Sequence, residues 1–392
     1  ESPHSFRLIR ILPDPERSQH IHCTIERYER GSEEYPSYTA LSYVWGDASE
    51  PKPVTLNGKR AFVTTNLHRA LWHLRSVYSD VYFWIDALSI DQNNVSERGH
   101  QVNQMKAIYG DAKEVVAWLG RGVKPIGPLF EFVEEHEKIC TGKLHHTGIC
   151  KIPEGIGIGD AITYLERNAY WSRVWVIQEL VSAAGVSLMC GKHVITWLKI
   201  VRFLKRTRRG HFMWGFGEIY RWMEGPNYES YIVTLSNWPQ YGITLADALA
   251  QSRFSLATDY RDKIYAILGL VNLGAGTNVE ADYSLSPCKV ICKAIQAIVE
   301  DGNKKYRLGA INSMYKFTNE LRKKEPRSPG EPECLALAEL RQQLRTALGE
   351  SEASGQEQQK HTIGYRAYCE GVKCSSLEIM WEFAIEFRYY AS

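Results

Sequence analysis

The stretch AYWSRVWVIQELV, residues 169–181, places a single carboxylate, Glu179, in a segment that is otherwise apolar and aromatic. Apolar residues recur at helical spacing between Trp171 and Leu180, which predicts a helix. Trp175 and Glu179 are four residues apart, so a helix would put the indole and the carboxylate on the same face. Holding an ionised group against aromatic surface costs free energy. Glu179 is therefore a candidate functional residue.

A second interpretation of Glu179 must be weighed against this one. A glutamate on an amphipathic helix is more often a solvated boundary residue, because most charged side chains stay exposed. A functional role requires the carboxylate to lie in a hollow that water can reach. The rest of the chain has to favour one of the two.

Three apolar runs could carry further functional residues at their ends. YTALSYVWGD (38–47), VYFWIDALSI (81–90) and EVVAWLG (114–120) read as buried strands. Amphipathic patterns predict helices between them, one starting from an N-cap at Asn66 and one over 97–110. Strands that alternate with helices in this way predict an α/β fold with a parallel sheet and helices on both faces.

Flanking segments extend this core. Alternating residues predict an opening hairpin from strands 5–11 and 20–26, and the turn Asn57-Gly58 predicts another hairpin. Residues 121–168 interrupt the α/β pattern and are interpreted as an insertion that carries a helix at 128–140. We therefore predict an N-terminal hairpin (1–37), a core domain (38–195) and a mainly helical C-terminal region (196–392).

The predicted helices of the C-terminal region follow a further hairpin beyond Gly185. They cover residues 198–205, 245–253, 262–271, 286–302, 334–348 and 375–389.

The insertion contains four residues with loosely metal-like spacing. They are Cys140, His145, His146 and Cys150. Because the pattern lacks paired ligand sets such as CxxC or HxxxH, we predict a flexible loop and no metal site.

Composition excludes several classes of protein. With 392 residues, a formal net charge of +2 and 23% charged residues, the chain has no global field that would favour nucleic acid or an anionic membrane. Nine scattered cysteines suggest reduced thiols and a cytoplasmic protein. There is no signal segment and no apolar run of the roughly 18–20 residues that would span a bilayer. Since the chain starts at Glu1 and not at Met, we expect a processed or trimmed chain.

Three motifs resemble those of one known family. YTALSYVWGD, then VYFWIDALSIDQNNVSERGHQVNQMKAIYGDAKEVVAWLG, then YWSRVWVIQEL are similar in order and spacing to the motifs of the fungal heterokaryon-incompatibility (HET) domain over about residues 38–185. ATDYRDKIYAILGL and ADYSLSPCKVICKAI extend the resemblance to about residue 302. Two positions depart from the family pattern: Ser89 stands where Cys is usual and Asp91 where Asn is common. The segment from about 303 onward resembles nothing known.

The same motifs resemble, more distantly, the TIR domain of innate immunity. This resemblance implies a flavodoxin-like doubly wound sheet in which the first and third core strands are neighbours, and the predicted β-hairpins would be insertions in it. Ligands of such sheets bind beyond the carboxyl ends of the strands, where the winding reverses. Trp45, Gly46 and Asp47 would then lie opposite the helix that carries Glu179.

The TIR resemblance also implies a reaction. In TIR enzymes the residue that matches Glu179 cleaves the bond between nicotinamide and ribose in NAD. Positive charge develops at the anomeric carbon, and a nearby carboxylate stabilises it. Nicotinamide leaves as a neutral ring, so one carboxylate suffices and no cofactor is required.

The remaining candidates would bind the NAD substrate. Tyr43, Trp45 or Trp175 could stack a ring, and Gly46 would let phosphate approach the backbone. Arg173 or Arg98 could neutralise the pyrophosphate, although a position on the helix surface suits Arg98 better. Asp86 either binds a ribose hydroxyl or caps the following helix. The set of candidate substrate contacts is Tyr43, Trp45, Gly46, Asp47, Asp86, Arg98, Arg173, Trp175 and Gln178.

The sequence thus predicts a fungal HET-domain effector of nonself recognition and programmed cell death that hydrolyses NAD. It would self-associate and respond to an upstream activating protein. The alternative is a non-catalytic, TIR-like interaction module that signals by assembly. A hydrolase with a Ser or Cys nucleophile is disfavoured because there is no GxSxG motif.

Overall fold

A large mixed β-sheet with helices on both faces organises the chain. The computed structural model describes residues 2–32, 34–141, 150–151, 157–208, 212–213, 230–238, 243–253, 255–272 and 279–300. The strands are β1 (Ser5–Ile11), β2 (His22–Glu29), β3 (Thr39–Tyr43), β4 (Lys52–Leu56), β5 (Lys59–Val63), β6 (Val81–Trp84), β7 (Glu114–Trp118), β8 (Cys150–Lys151), β9 (Val186–Cys190), β10 (His193–Thr196) and β11 (Phe212–Met213). The fold is therefore α/β, as the alternation of strands and helices predicts.

Helices follow most of the central strands. They are α1 (Thr65–Leu74), α2 (Asp86–Ser89), α3 (Val95–Asp111), α4 (Ile126–Thr141), α5 (Ile158–Glu166), α6 (Trp175–Val181), α7 (Trp197–Arg208), α8 (Tyr231–Ser236), α9 (Leu245–Gln251), α10 (Asp262–Leu268) and α11 (Pro287–Glu300). A short 3-10 turn (Ala169–Ser172) precedes α6. Helices α7, α9, α10 and α11 confirm the helices predicted within 198–302.

The sheet is parallel at its centre and mostly antiparallel at its flanks, where β2 and β4 form one further parallel pair. Its order is β10-β9-β7-β3-β6-β1-β2-β4-β5. Strand β3 pairs in parallel with both β6 and β7, and β7 pairs in parallel with β9. The opening hairpin does not merely cover the core, because β1 pairs antiparallel with β6 and so extends the sheet. The prediction of a parallel sheet thus holds for four strands and is wrong for the sheet as a whole.

Residues on the central strands alternate between two apolar clusters, one on each face of the sheet. Along β7, Val115 and Ala117 face one cluster, while Val116 and Trp118 face the other. This period of two follows from the pleat of a strand, and burial on both faces explains the continuous apolar runs. The first cluster includes α3, α6 and the C-terminal helices, and the second includes α1 and the β4–β5 hairpin.

Local corrections concern the ends of elements. Helix α1 is capped by Thr64, whose hydroxyl accepts from the Leu67 N–H at 3.3 Å, and the predicted cap at Asn66 is wrong. Asn66 lies in the first turn, where its amide donates to the Val44 carbonyl at 2.6 Å and accepts from the Trp118 indole at 3.0 Å. Strand β6 ends at Trp84, and Asp86 begins the one-turn helix α2 rather than lying within a strand.

The C-terminal region packs closely on α3. Gly99 faces this contact, since a Cβ there would lie 3.0 Å from the carbonyl oxygen of Ala281. Asn103 bonds to both backbone groups of Ala281, accepting from its N–H at 2.8 Å and donating to its carbonyl at 3.2 Å. Glycine is unfavourable inside a helix. The close approach of Ala281 explains why a residue without a Cβ stands at position 99.

Some predictions fall outside the described residues. These are the helices at 334–348 and 375–389 and the loop with His145 and His146. Helix α5 lies in the insertion beyond the predicted helix. No helix in the described part of the chain is long and apolar enough to cross a membrane.

Candidate functional site

A buried polar cluster lies where β3, β6 and α6 meet. Ser42 near the end of β3, Asp86 just after β6, and Glu179 on α6 contribute to it, together with Tyr170 and Arg173 from the segment before α6. Strands β3 and β6 are parallel neighbours, so their carboxyl ends lie at the same edge of the sheet. In open α/β sheets this edge is where ligands bind.

Glu179 is held by a hydroxyl and a guanidinium. The Ser42 hydroxyl donates to Glu179 Oε2. Because that hydroxyl has one proton to give, the Tyr170 hydroxyl, 2.6 Å away, is the donor to Ser42. Arg173 approaches from the other side, with Nη2 3.4 Å from Oε1 and Nη1 3.5 Å from Oε2. The prediction of a carboxylate open to water is wrong for this conformation, since Glu179 is 1% exposed.

Burial dominates the ionisation of Glu179. It raises the pKa of the carboxyl, while the positive charge of Arg173 and the Ser42 hydrogen bond act to lower it. The net pKa remains above the ordinary value. A raised pKa of this kind is common at functional sites because burial and charged neighbours are concentrated there.

Asp86 is a second carboxylate in the cluster. Its Oδ2 accepts from the Trp45 indole at 2.7 Å, and its Oδ1 accepts from the Ala87 N–H at 2.7 Å. Burial raises the pKa of Asp86, and the charge of Arg173 opposes this rise. Asp86 therefore both begins helix α2 and takes part in the cluster, so the two roles predicted as alternatives coexist.

Arg173 is the cation that serves both acids. Burial acts to lower the pKa of its guanidinium, but the carboxylates of Glu179 and Asp86 raise the pKa by more. Its side chain is 19% exposed, whereas that of Glu179 is 2% exposed. Arg173 thus covers the solvent side of the Glu179 carboxylate.

Three tyrosines lie near enough to the carboxylates to feel their charge. Tyr43, Tyr109 and Tyr170 are buried. Burial raises the pKa of each phenol above its ordinary value, so all three stay neutral at physiological pH. They therefore add no negative charge to the cluster.

Two predicted residues belong to a neighbouring cluster instead. The Trp175 indole bonds to Asp262 at the start of α10, and the Tyr283 hydroxyl donates to Asp262 Oδ1 at 2.6 Å. The Arg98 guanidinium lies 3.8 Å from the centre of the Tyr283 ring. Burial raises the pKa of Asp262 to about 6. Trp175 and Arg98 therefore connect α6 and α3 to the C-terminal region.

The other predicted contacts occupy different places. Gly46 adopts a left-handed conformation with φ of 78°. Asp47 is exposed and accepts from the Ser49 N–H at 2.8 Å. Gln178 is buried between helices: with its amide oriented so that both atoms are bonded, it donates to the Ala266 carbonyl and accepts from the Lys106 N–H, both at 2.9 Å.

Sequence reasoning missed Ser42, Tyr170 and Tyr109. A signal for Ser42 was present, because a hydroxyl in an apolar run that is buried on both faces must find a partner. Tyr170 lies inside the aromatic motif that contains Glu179. Tyr109 had no distinguishing signal, since aromatic rings on a helix are usually core residues.

The described residues contain no group of three or more His, Cys, Asp or Glu side chains that could hold a metal ion. The chemistry of the cluster is instead that of two carboxylates, one shared guanidinium and neutral hydroxyls. Such a set can stabilise positive charge and donate or accept hydrogen bonds.

Fold and cluster together define an α/β protein with a buried acidic site at the carboxyl edge of its parallel strands. Residues 38–179 match the family model described as heterokaryon incompatibility protein (HET). This part of the chain is therefore similar to a HET domain, and the cluster around Glu179 lies within the matched residues apart from its contacts with the C-terminal region.

A curated relative extends beyond this domain. The chain is 26% identical over 358 residues to heterokaryon incompatibility protein 6, OR allele, of Neurospora crassa. The match covers 75% of this chain and 52% of the relative, so the chain spans about half the length of the curated protein. No solved structure gives a significant match.

Proposed function

We propose that this chain is an effector of fungal nonself recognition and programmed cell death that cleaves the nicotinamide-ribose bond of NAD. The HET domain and the heterokaryon incompatibility protein to which the chain is similar support the first part. One observation carries the second part: Glu179 is a buried carboxylate, hydrogen-bonded by Ser42, at the ligand-binding edge of the sheet.

The topology supports a flavodoxin-like and TIR-like interpretation of the core. If β3, β6, β7 and β9 are counted as core strands one to four, their spatial order is two, one, three, four. Flavodoxin-like sheets have this order, with the ligand at the point between strands one and three where the winding reverses. Ser42 lies on core strand one, near that point.

The chemistry proposed for Glu179 is electrostatic. Cleavage of the glycosidic bond leaves positive charge on the ribose, and a fixed carboxylate in a site of low dielectric stabilises this charge more than water does. Ser42 orients the carboxylate through its hydrogen bond. Asp86 supplies a second negative charge or a partner for a ribose hydroxyl.

The other predicted contacts are assigned by their positions around this centre. Trp45 is 41% exposed and offers a ring for stacking next to Asp86. Gly46 and Asp47 lie on the same exposed loop. Arg173 covers the Glu179 carboxylate in this conformation. Arg98, Trp175 and Gln178, which contact the C-terminal region, would act through the packing of α3 and α6.

Turnover of NAD by matched variants tests the proposal. We expect the wild-type protein, under conditions that allow self-assembly, to release nicotinamide and Glu179→Gln to release none at a measurable rate. Glu131→Gln, the same change at an exposed position of α4, is the control and should match the wild type. Equal turnover by the wild type and Glu179→Gln would remove Glu179 from catalysis.

A second candidate function is an interaction module that signals by self-association. The buried ion pair between Glu179 and Arg173 favours it, because such a pair can be purely structural. In that case the protein would assemble, Glu179→Gln would assemble as well, and NAD would remain intact with both. An upstream activating protein fits either function.

A further inference from the structure

The charges around Arg173 do not balance. Two carboxylates, Glu179 and Asp86, act on one guanidinium, and the negative charge of Asp86 also raises the pKa of Glu179. Glu179 and Asp86 are therefore a pair of negative positions with a single positive occupant. Any other cation that enters this space would be attracted by the same two acids.

The contact between Arg173 and Glu179 is suited to exchange. Its two N···O distances, 3.4 and 3.5 Å, are longer than those of a tight bidentate pair, which are about 2.7–2.9 Å. The guanidinium also keeps contact with solvent, as its 19% exposure shows. The solvent side is therefore the route by which the guanidinium would leave Glu179.

The backbone around Arg173 is fixed, which confines the exchange to the side chain. Leu256 bonds to both neighbours of Arg173: its N–H donates to the Ser172 carbonyl, and its carbonyl accepts from the Val174 N–H at 2.9 Å. A change at Arg173 that spares the backbone would therefore leave this strand-like bridge intact.

The walls of the site suit a flat cation. Tyr43, Tyr109 and Tyr170 are neutral aromatic residues around the acids. Aromatic faces attract cations, and more strongly where water is excluded. A planar, positively charged ring with an attached sugar carries the charge that the acids favour.

We propose that Arg173 is an internal occupant of a cation site formed by Glu179 and Asp86, and that a pyridinium-ribose substrate must displace it. This inference rests on the proposed function, because it names the group that competes with the guanidinium. It also explains how a carboxylate that is 1% exposed can serve a substrate. The resting protein is inhibited by its own arginine.

Equilibrium binding of NAD to purified variants tests this. Arg173→Gln removes the cation and keeps a polar side chain. Arg69→Gln makes the same change at an exposed position of α1 and is the control. We expect Arg173→Gln to bind NAD about tenfold or more tightly than the wild type. A site that is open for only a fraction of the time has its apparent affinity reduced by that fraction, and the substitution removes this reduction. Adding Glu179→Gln should abolish that gain.

A pH series provides a second readout. Arg173 lowers the pKa of the Glu179 carboxyl, so its removal raises that pKa further. Binding of NAD to Arg173→Gln should therefore decline at a higher pH than binding to the wild type as the solution is acidified. An unchanged midpoint would show that binding does not depend on the ionisation of Glu179 and would overturn the inference. If Arg173→Gln fails to fold, as circular dichroism would show, Arg173→Lys replaces it and should bind NAD with intermediate affinity.

The outcomes separate the inference from the proposed function. Weaker or unchanged binding to Arg173→Gln, with wild type and Arg69→Gln binding NAD, overturns the inference and makes Arg173 a substrate contact. Tighter binding without cleavage by any variant supports the cation site and overturns NAD hydrolysis. Absence of binding by every variant overturns both.

Discussion

Ser42 and Glu179 are 137 residues apart in the chain and share a buried hydrogen bond between strand β3 and helix α6. The bond continues to Tyr170, whose hydroxyl lies 2.6 Å from that of Ser42. Ser42→Ala would leave the Tyr170 hydroxyl and the carboxylate each without this partner. We expect a loss of about 1–3 kcal/mol in the free energy of unfolding, because buried polar groups lose more when one partner is removed than when both are.

Chemical denaturation measures this effect, and Ser96→Ala at an exposed position of α3 is its control. If the proposed function holds, NAD turnover by Ser42→Ala should also fall, since Glu179 loses its orientation. A variant as stable and as active as Ser96→Ala would show that the hydroxyl contributes nothing.

Trp45 combines two roles that substitution can separate. Trp45→Phe keeps an aromatic ring but loses the N–H that donates to Asp86 at 2.7 Å. Trp45→Ala loses both. Because base stacking on an aromatic side chain is worth about 1–3 kcal/mol, we expect Trp45→Ala to weaken NAD binding by about tenfold or more and Trp45→Phe to weaken it less. Binding is compared by titration, with Phe62→Ala, an exposed ring on β5, as control. Equal losses in the two Trp45 variants would assign the effect to the hydrogen bond.

Two glycines of α3 provide a matched pair for the contact with the C-terminal region. A Cβ at Gly99 would meet the Ala281 carbonyl oxygen at 3.0 Å, while a Cβ at Gly110 would lie 3.4 Å from that of Ser182. Alanine favours a helix over glycine by about 1 kcal/mol. We therefore expect Gly110→Ala to be neutral or stabilising. We expect Gly99→Ala to be destabilising by about 1 kcal/mol, because the backbone at Ala281 would have to move to make room for the new Cβ.

Thermal unfolding of the two variants shows which of them is the more stable. A Gly99→Ala protein that is more stable than Gly110→Ala would contradict the close approach of α3 to Ala281.

Asp262 gives stability a defined pH dependence. Its pKa is raised from 3.8 to about 6, chiefly by burial, although Tyr283 and Trp175 donate hydrogen bonds to it. Between these two values the folded protein holds a proton that the unfolded chain has released. Stability contributed by this group is therefore complete below the unfolded pKa and is lost as the pH rises towards 6. The loss amounts to about 3 kcal/mol at most.

Comparison with Asp262→Asn isolates that contribution. The variant cannot ionise, so the difference in unfolding free energy between it and the wild type should change across this window and level off above it. If the difference in unfolding free energy stays constant from acid to neutral pH, Asp262 does not titrate between 3.8 and about 6 in the folded protein.

The local sequence specified much of the core. Continuous apolar runs predicted β3, β6 and β7, and helical periodicity predicted α1 and α3. These patterns arise because the number of buried faces of a strand or helix sets the spacing of its apolar residues. The predicted ends of the helices and strands were less accurate. Asn66 resembles a cap by its type, but tertiary contacts with Val44 and Trp118 use its amide, so Thr64 caps the helix instead.

The candidate site shows the same division. Glu179 was identified from its sequence because a lone acid among aromatic residues is conspicuous at short range. The burial of Glu179 and its partners could not be identified in this way, because Ser42 and Arg173 reach it only after β3 and the segment before α6 are brought together. Likewise, Trp175 shares a helix face with Glu179 by spacing, yet it bonds to Asp262, which the chain supplies much later.

What the sequence determined by itself is therefore the set of elements, the α/β class and the acid at the centre, because these depend on periodicity and residue type within a few turns. Only the tertiary structure decided that the sheet is mixed, that the carboxylate is closed off by Arg173 and that the C-terminal helices pack on α3. The physical reason is that pairing and burial depend on residues that are distant in the chain, and no local pattern records which of them meet.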